Sequence, residues 1–427
     1  MLQLDITSTL AKLITPSMGI PDQEITALRT SMRKHIEDWL KERSRGMHAW
    51  SMDPYDKKTI QRVKETAMAA KSRGIRTVLW VGIGGSALGP AVIRDVFETP
   101  ESPEMIVLDT IDPAELEHVL AMVDWRTTLV VVASKSGDTL EPMSVFYLLW
   151  SRLTEQKKLN PRDHVIAVTD AEKGTLHDFC LQNDIPMLPI PAGVGGRFSI
   201  FTPIGLLSLA LLDGDLAGFI RGAKEMDTLC QSTILQENPA ALLASVQFLL
   251  DTRRGYSVRV IMPYGARLRT IARWDQQLIA ESLGKTETHN PIPMAAMGTQ
   301  DQHSLLQQWM AGPRSCWHLF IRELEKPRLS VPEDVDPEWK YIAGKTFGQL
   351  LDACYEGTSR ALTGAKRPHA TIALTRLDSA HLGQLFFLLL AEVVFLGKLY
   401  RIDPYGQPAV EVGKQITKQL LTRGRLD

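Results

Sequence analysis

The chain has 427 residues, of which 44% are hydrophobic and 23% are charged, and its formal net charge is −1. These values are ordinary for a globular protein and allow two sizeable domains. Without a strong net charge, no overall field attracts nucleic acid or anionic lipid, so an anionic ligand needs a local cluster of donors. The four cysteines are widely spaced and form no CxxC pair, which fits a reducing compartment.

We expect a cytoplasmic protein without a membrane-spanning segment. The N-terminus lacks a basic stretch followed by a long apolar run. The most apolar stretch, 385–395, is interrupted by Glu392 and is too short to cross a bilayer.

The N-terminal segment, residues 1–70, is predicted to contain helices at 25–39 and 58–71. It offers no group to which we can assign chemistry. We expect it to pack on the domains that follow.

Strands and helices alternate from residue 77 onwards. In this part the predicted strands cover 77–81, 105–108, 129–133 and 164–169. A second unit has predicted strands at 258–262, 317–321 and 370–374, and predicted helices at 268–283, 339–362 and 380–399. Such alternation predicts an α/β fold with doubly wound, mostly parallel sheets, in which ligands bind at the carboxyl ends of the strands.

The predicted organisation is therefore two doubly wound domains with additional helices. The first domain covers 71–215 and the second covers 256–400, with connecting helices at 216–255. A C-terminal loop and helix occupy 401–427, with the helix at 412–421.

Two loops at predicted strand ends are rich in glycine and hydroxyl groups. The segment 134–139 reads SKSGDT between an apolar β-branched strand and a helix. A helix N-terminus, three hydroxyls and Lys135 together suit a phosphate, and Asp138 is expected to point away, as a helix cap. The other loop, 82–89, resembles a dinucleotide fingerprint, which leaves a nicotinamide-dependent dehydrogenase as an alternative. That alternative does not account for the segment 134–139.

These loops carry a family resemblance. Residues 84–86, reading GGS, together with 134–139, resemble the sugar isomerase domain. Four further stretches resemble the glucose-6-phosphate isomerase family, namely GGRFS at 195–199, QLIAESLGK at 277–285, GTQDQHS at 298–304 and QPAVEVGK at 407–414. The motifs occur in the family's order and span most of the chain.

The resemblance implies two sugar isomerase domains, usually in a homodimer, that interconvert glucose 6-phosphate and fructose 6-phosphate without a metal or organic cofactor. It implies that Glu281 moves a proton between C2 and C1 and that Arg197 faces the enediolate. It also implies that Lys414, together with His303 from the neighbouring subunit, opens the sugar ring. The implied substrate-binding residues are Gly85, Ser86, Ser134, Lys135, Ser136, Thr139, Gln277 and Gln407.

The residue types fit this chemistry. A carboxylate can move a carbon-bound proton, a fixed guanidinium can stabilise a developing oxyanion, and a histidine can transfer protons near neutral pH. Gln277 and Glu281 are four residues apart and so lie on one helix face, with Trp274 and Leu278 expected on the buried side.

Interpretations without catalysis stay open at this point. Glu281 could be a surface residue paired with Lys285, and Lys414 could be an ordinary surface lysine. His318 and His369, near predicted strands, are expected to be hydrogen-bonded core groups. A sugar-phosphate-binding regulatory module without catalysis is a second function class, disfavoured because Glu281, Arg197 and His303 are all present. An isomerase that also accepts mannose 6-phosphate is not excluded.

Overall fold

The computed structural model describes residues 1–423, and its strands form two sheets of five strands each. The strands are β1 (Gln3–Asp5), β2 (Thr77–Val81), β3 (Glu104–Leu108), β4 (Thr128–Ala133), β5 (Val165–Asp170), β6 (Met187–Ile190), β7 (Val258–Tyr264), β8 (Ile292–Ala295), β9 (Cys316–Glu323) and β10 (His369–Leu374). The helices are α1 (Asp22–Ser44), α2 (Lys57–Lys71), α3 (Gly85–Phe97), α4 (Pro113–Met122), α5 (Leu140–Thr154), α6 (Thr175–Gln182), α7 (Pro203–Leu211), α8 (Leu216–Cys230), α9 (Pro239–Arg254), α10 (Arg269–Leu283), α11 (Gln300–Ser304), α12 (Leu306–Ala311), α13 (Phe347–Gly364), α14 (Ser379–Tyr400) and α15 (Ala409–Arg423).

Both sheets have the parallel arrangement expected of alternating strands and helices. The first has the order β3-β2-β4-β5-β6, and all of its pairings are parallel. The second has the order β1-β10-β9-β7-β8, and it is parallel except for β1, which runs antiparallel to β10. The predicted α/β fold class is confirmed, and the domain boundaries stay a prediction.

The central position of β4 in the first sheet accounts for its continuous apolar sequence. Its residues Leu129, Val130, Val131 and Val132 are all fully buried. A parallel sheet covered by helices on both faces favours such a continuous β-branched run. Because β4 pairs with β2 in register, with Val132 opposite Val81, the loops that follow both strands leave the same edge of the sheet.

Helix α14 lies at the centre of the molecule. It is longer than predicted, and by length and composition it could cross a membrane, but 89% of its most apolar window is buried inside the fold. It packs on α8 and α9. Glu392, which interrupts its apolar sequence, is buried and accepts a hydrogen bond from Arg259 Nη2 at 3.1 Å. The helix is therefore part of the protein core.

Several element predictions are wrong. The prediction for residues 1–70 missed the strand β1, which lies at the edge of the second sheet. The single helix predicted at 339–362 is a 3₁₀ turn at Pro337–Ile342 followed by α13, whose start is set by a capping box between Thr346 and Gln349.

The missed strands β6 and β8 each have four residues and one proline. A proline cannot donate to the ladder and usually argues against a strand, but both strands lie at sheet edges, where it is tolerated.

Candidate active site

The two donor-rich loops lie side by side, because they follow the neighbouring strands β2 and β4. The second loop leads into α5, whose N-cap residue is Thr139. Within residues 1–423 the Thr139 side chain makes no capping hydrogen bond. The Thr139 hydroxyl and the first N–H groups of α5 are thus available to an anion, which the helix dipole also favours.

Side-chain hydrogen bonds fix the shape of this loop. Ser134 Oγ accepts from the Gly137 N–H at 3.2 Å, and Ser136 Oγ accepts from the Asp138 N–H at 3.2 Å. Since both serine oxygens act as acceptors here, each hydroxyl keeps its proton for a ligand. The expectation that Asp138 caps the helix is wrong, because its Oδ1 accepts from the Thr175 hydroxyl at 2.8 Å and ties the loop to α6.

Lys135 does not point its ammonium into open space. Its Nζ donates to the backbone oxygens of Ala192 at 2.6 Å and Val194 at 2.9 Å, with that of Pro191 at 3.4 Å. Burial lowers the pKa of Lys135. The side chain therefore anchors the segment that leads to Arg197, and its direct contact with a phosphate stays a prediction.

Close backbone packing joins the glycine loop to the rest of the site. A Cβ added to Gly84, whose φ is +55°, would lie 2.7 Å from Gln277 Nε2. A Cβ added to Gly85 would lie 2.1 Å from the carbonyl carbon of Gly196. Only glycine permits these approaches. Ser86, in the first turn of α3, is half-buried beside them.

Arg197 is the most extensively bonded side chain of the site. It lies in a 3₁₀ turn, Gly196–Phe201, and is 3% exposed. Its Nε donates to Ser282 Oγ at 2.8 Å, and its Nη1 donates to Glu281 Oε2 at 3.0 Å and Gln407 Oε1 at 2.9 Å. Its Nη2 donates to the backbone oxygens of Pro404 at 2.6 Å and Gly406 at 3.1 Å.

All five guanidinium N–H groups of Arg197 therefore have partners. Burial lowers the pKa of Arg197, and the neighbouring Glu281 carboxylate opposes that shift. The result is a fixed, buried positive charge in contact with one carboxylate.

Helix α10 presents Glu281 to this charge. Trp274, Leu278 and Ile279 are buried, as predicted. Gln277 Nε2 donates to Glu281 Oε1 at 2.8 Å, which confirms that Gln277 and Glu281 share a helix face. The interpretation of Glu281 as a partner of Lys285 is wrong, because Lys285 Nζ donates to the backbone oxygens of Asp403 and Tyr405.

His303 and Lys414 are not brought to this centre. His303 is exposed on α11, and within the described part of the chain its side chain makes no hydrogen bond. Lys414 is exposed on α15, where its Nζ donates to Glu411 Oε1 at 2.8 Å. The residues 406–422 are exposed throughout, so α15 does not pack against its own chain. The chain thus assembles Glu281, Arg197, Gln277 and Gln407 but leaves the other two groups on its surface.

Of the two histidines near the strands, His369 is a hydrogen-bonded core group as predicted and His318 is not. His318 is fully buried, but neither ring nitrogen has a hydrogen-bond partner within residues 1–423, so its description as a hydrogen-bonded core group is wrong. Burial lowers its pKa to about 3. His369 is bonded through Nε2 to the Ser359 carbonyl at 3.1 Å, and burial lowers its pKa to about 4.

The comparison with known proteins decides the family. The sequence model of the phosphoglucose isomerase family matches residues 47–331, which is more than half of the chain. The chain belongs to the phosphoglucose isomerase family. It is 34% identical to the glucose-6-phosphate isomerase of Rubrobacter xylanophilus, in an alignment that covers 97% of each chain.

Solved structures agree with the phosphoglucose isomerase fold. A crystal structure from Thermus thermophilus, described as a hypothetical protein, superposes with a TM-score of 0.90 at 29% identity, covering 99% of this chain and 100% of that one. The glucose-6-phosphate isomerase of Chlamydia trachomatis superposes with a TM-score of 0.77 at 25% identity, covering 87% of this chain and 74% of that one.

Sequence reasoning missed several residues that surround this phosphoglucose isomerase site. Ser282 and Lys285 lie within the quoted motif at 277–285, but nothing in the motif indicates that they bind Arg197 and the segment 403–405. The carbonyl groups of Pro404 and Gly406 leave no signal in a sequence at all. Only the contacts reveal that the segment before Gln407 encloses the guanidinium.

Proposed function

We propose that this member of the phosphoglucose isomerase family catalyses the reversible isomerisation of glucose 6-phosphate and fructose 6-phosphate through an enediolate. The observation that carries the proposal is the contact of Arg197 Nη1 with Glu281 Oε2 at 3.0 Å, beside two donor-rich loops. A base next to a fixed cation is what proton transfer between C2 and C1 requires. The reaction as proposed uses no metal or organic cofactor.

The phosphate group is proposed to bind at the N-terminus of α5. Its ligands are the hydroxyls of Ser134, Ser136 and Thr139, with Ser86 from the adjoining loop and backbone N–H groups near Gly85. Lys135 supplies nearby positive charge while its ammonium holds the segment 191–194. Binding energy from the phosphate positions the distant carbon atoms for reaction.

Glu281 is proposed as the base that transfers the proton between C2 and C1. Its side chain is 28% exposed, so a substrate can reach the carboxylate. Gln277 orients the carboxylate, because its Nε2 donates to Glu281 Oε1. The Oε1 atom of Gln277 itself is buried and has no partner within residues 1–423, so it can accept a hydrogen bond from a substrate hydroxyl. The carboxylate thus has a fixed direction before substrate arrives.

Arg197 is proposed to stabilise the enediolate oxygens. Because its five N–H groups are already bonded, a substrate oxygen has to replace one existing partner. The Nη1 contacts with Glu281 and Gln407 are the accessible ones, since both of these side chains are partly exposed. A guanidinium suits the role because it stays charged and gives up no proton.

Ring opening is proposed to use His303 and Lys414, with the protein acting as a homodimer. Both side chains are exposed, and the exposure of His303 is consistent with its reaching a site on the neighbouring subunit. Proton transfer at the ring oxygen and the C1 hydroxyl suits an imidazole, which can both donate and accept a proton. His303 of the partner subunit then completes the site that Glu281 begins.

The direct test is incubation of the purified chain with fructose 6-phosphate, followed by a coupled assay for glucose 6-phosphate. We expect turnover that is lost when Glu281 is changed to Gln. Binding of fructose 6-phosphate without any turnover would contradict the proposal and favour a regulatory module. A parallel assay with mannose 6-phosphate measures substrate scope and leaves the main result unaffected.

A further inference from the structure

The segment 403–407, here called the tail loop, controls how the Arg197 guanidinium is oriented. Three of the five Arg197 hydrogen bonds go to this loop, namely those to the Pro404 and Gly406 carbonyls and to the Gln407 side chain. A guanidinium has a rigid, planar set of donors. Moving the tail loop therefore turns the charge that faces Glu281.

The tail loop has no regular secondary structure to hold it in place. Asp403, Gly406 and Gln407 are exposed, so its position depends on a few contacts. Lys285 binds two of its carbonyl groups. A further anchor is Tyr405, whose ring packs against Phe198 with 5.1 Å between centroids.

The hydroxyl of Tyr405 reaches two residues of the N-terminal segment. His48 Nδ1 lies 2.5 Å from it, and Trp50 Nε1 donates to it at 3.0 Å. His48 and Trp50 are 8% and 1% exposed, so both hydrogen bonds are shielded from water. We call His48 and Trp50 the N-terminal clamp.

The chemistry of the groups assigns every proton in this network. Burial lowers the pKa of His48, which keeps the imidazole neutral at neutral pH. His48 Nε2 lies 2.8 Å from Glu42 Oε2, and a carboxylate only accepts, so Nε2 carries the proton. Nδ1 is then the acceptor of the Tyr405 O–H, whose oxygen accepts from the indole of Trp50. Each polar group has a partner, and such fully satisfied buried networks are rigid.

The backbone at His48 indicates that this arrangement has a cost. Its φ is +57° and its ψ is +44°, in the left-handed region that residues other than glycine seldom adopt. Strained residues of this kind are retained where the surrounding structure over-determines them, frequently next to functional sites. The strain places the imidazole between Glu42 and Tyr405.

We propose that the N-terminal clamp is a positioning device for catalysis, which holds Tyr405 so that the tail loop sets Arg197 and Gln407 for the enediolate. The inference rests on the proposed role of Arg197. It assigns a function to a part of the N-terminal segment in which the sequence offers no chemistry. His48, Trp50 and Tyr405 act through Arg197 and do not themselves touch the substrate.

The test compares Tyr405→Phe with a matched control, Tyr355→Phe. Tyr355→Phe also removes a buried, hydrogen-bonded hydroxyl, which lies 2.7 Å from Thr371 Oγ1, but its ring packs against Tyr264 and Phe320. We expect Tyr405→Phe to lower kcat about tenfold, because small misplacements of positioned groups carry large losses. Tyr355→Phe should leave kcat unchanged.

Two further measurements separate positioning from loss of stability. A sugar-acid phosphate, whose carboxylate meets Arg197, should bind Tyr405→Phe about tenfold more weakly, while inorganic phosphate should bind equally well. Trp50→Phe removes the same link from the other side. The double variant should therefore lose no more kcat than Tyr405→Phe alone, because the hydrogen bond that Trp50→Phe removes is already absent from Tyr405→Phe.

The outcomes distinguish this inference from the proposed function. If the wild-type chain isomerises fructose 6-phosphate and Glu281→Gln does not, but Tyr405→Phe keeps full kcat and inhibitor affinity, the clamp is purely structural and the inference is wrong. Equal losses of affinity for sugar-acid phosphate and for inorganic phosphate would also overturn it. An inactive wild-type chain would instead contradict the proposed function.

Discussion

Arg197 is 3% exposed and donates five hydrogen bonds, whereas His303 is exposed and, within residues 1–423, makes none. Both residues are proposed to act on the same substrate. The chain therefore fixes Arg197 before any substrate binds and leaves the side chain of His303 without a hydrogen bond among the described residues. This difference is what a site completed by a second subunit requires, because a residue that functions on a neighbouring chain needs no partner on its own.

The largest expected effect concerns Glu281, which contacts the fixed guanidinium of Arg197. Glu281→Gln keeps the size of the side chain and removes the proposed base, so we expect a loss in kcat of about 10²–10⁴-fold. Exchange of the C1 or C2 hydrogen with heavy water should fall in parallel, while inorganic phosphate should bind unchanged. The control is Glu356→Gln, which removes an exposed helix carboxylate paired with Arg360. Near-normal exchange in Glu281→Gln would assign the base to another residue.

The second prediction contrasts His303 with His318, the fully buried histidine. The pKa of His318 is about 3 in the folded protein, against an ordinary value of 6.5. At a pH between these two values, His318 is protonated in the unfolded chain but not in the folded chain. Stability is therefore lost as the pH falls below 6.5. Neither ring nitrogen has a partner within the described residues, so His318→Phe breaks no hydrogen bond there and removes the group that takes up the proton.

Urea unfolding at pH 7 and pH 5 measures the effect. Over that range His318→Phe should lose about 2 kcal/mol less of its free energy of unfolding than the wild type. Its kcat should be unchanged, whereas His303→Ala should lower kcat. If His318→Phe showed the wild-type pH dependence, the imidazole would have to be solvated or hydrogen-bonded in the folded state.

The smallest effect concerns the segment 134–139, which is proposed to bind the phosphate. Ser136→Ala removes one hydroxyl and should weaken binding of inorganic phosphate about tenfold, the value of one hydrogen bond to a charged group. Lys135→Ala should weaken binding too, but it should also lower the melting temperature, because its ammonium holds the carbonyls of Ala192 and Val194. A Lys135→Ala variant with an unchanged melting temperature and no phosphate binding would make Lys135 a direct ligand.

Local signals allowed much of the fold to be predicted from the sequence. The apolar β-branched run 129–133 and the glycine-rich loop 82–85 identified β4, β2 and the shared edge where their loops meet. Periodicity placed Gln277 and Glu281 on one face of α10. The short edge strands β6 and β8 were not predicted, because each contains a proline. Each is stabilised by pairing with a neighbouring strand, which the local sequence does not reveal.

The remainder of the site depends on contacts between distant parts of the chain. The Lys135 ammonium donates to carbonyl groups that lie 57 and 59 residues further along the sequence. The hydrogen bond from Trp50 to Tyr405 joins residues that are 355 positions apart. A backbone acceptor such as the Pro404 carbonyl cannot be predicted from the sequence, because every residue type has a backbone carbonyl. Spacing therefore predicts which side chains share a helix face, and only the fold shows which loops enclose a guanidinium.

Mixing two inactive variants tests most directly the claim that one chain begins the site and its partner completes it. In a dimer of His303→Ala with Glu281→Gln, one of the two sites contains both native residues and the other contains neither. After equimolar subunit exchange we expect activity to recover to about a quarter of the wild-type value, since half of the dimers are mixed and each has one intact site. Full exchange, followed by mass-tagged chains, without any recovered activity would contradict the account.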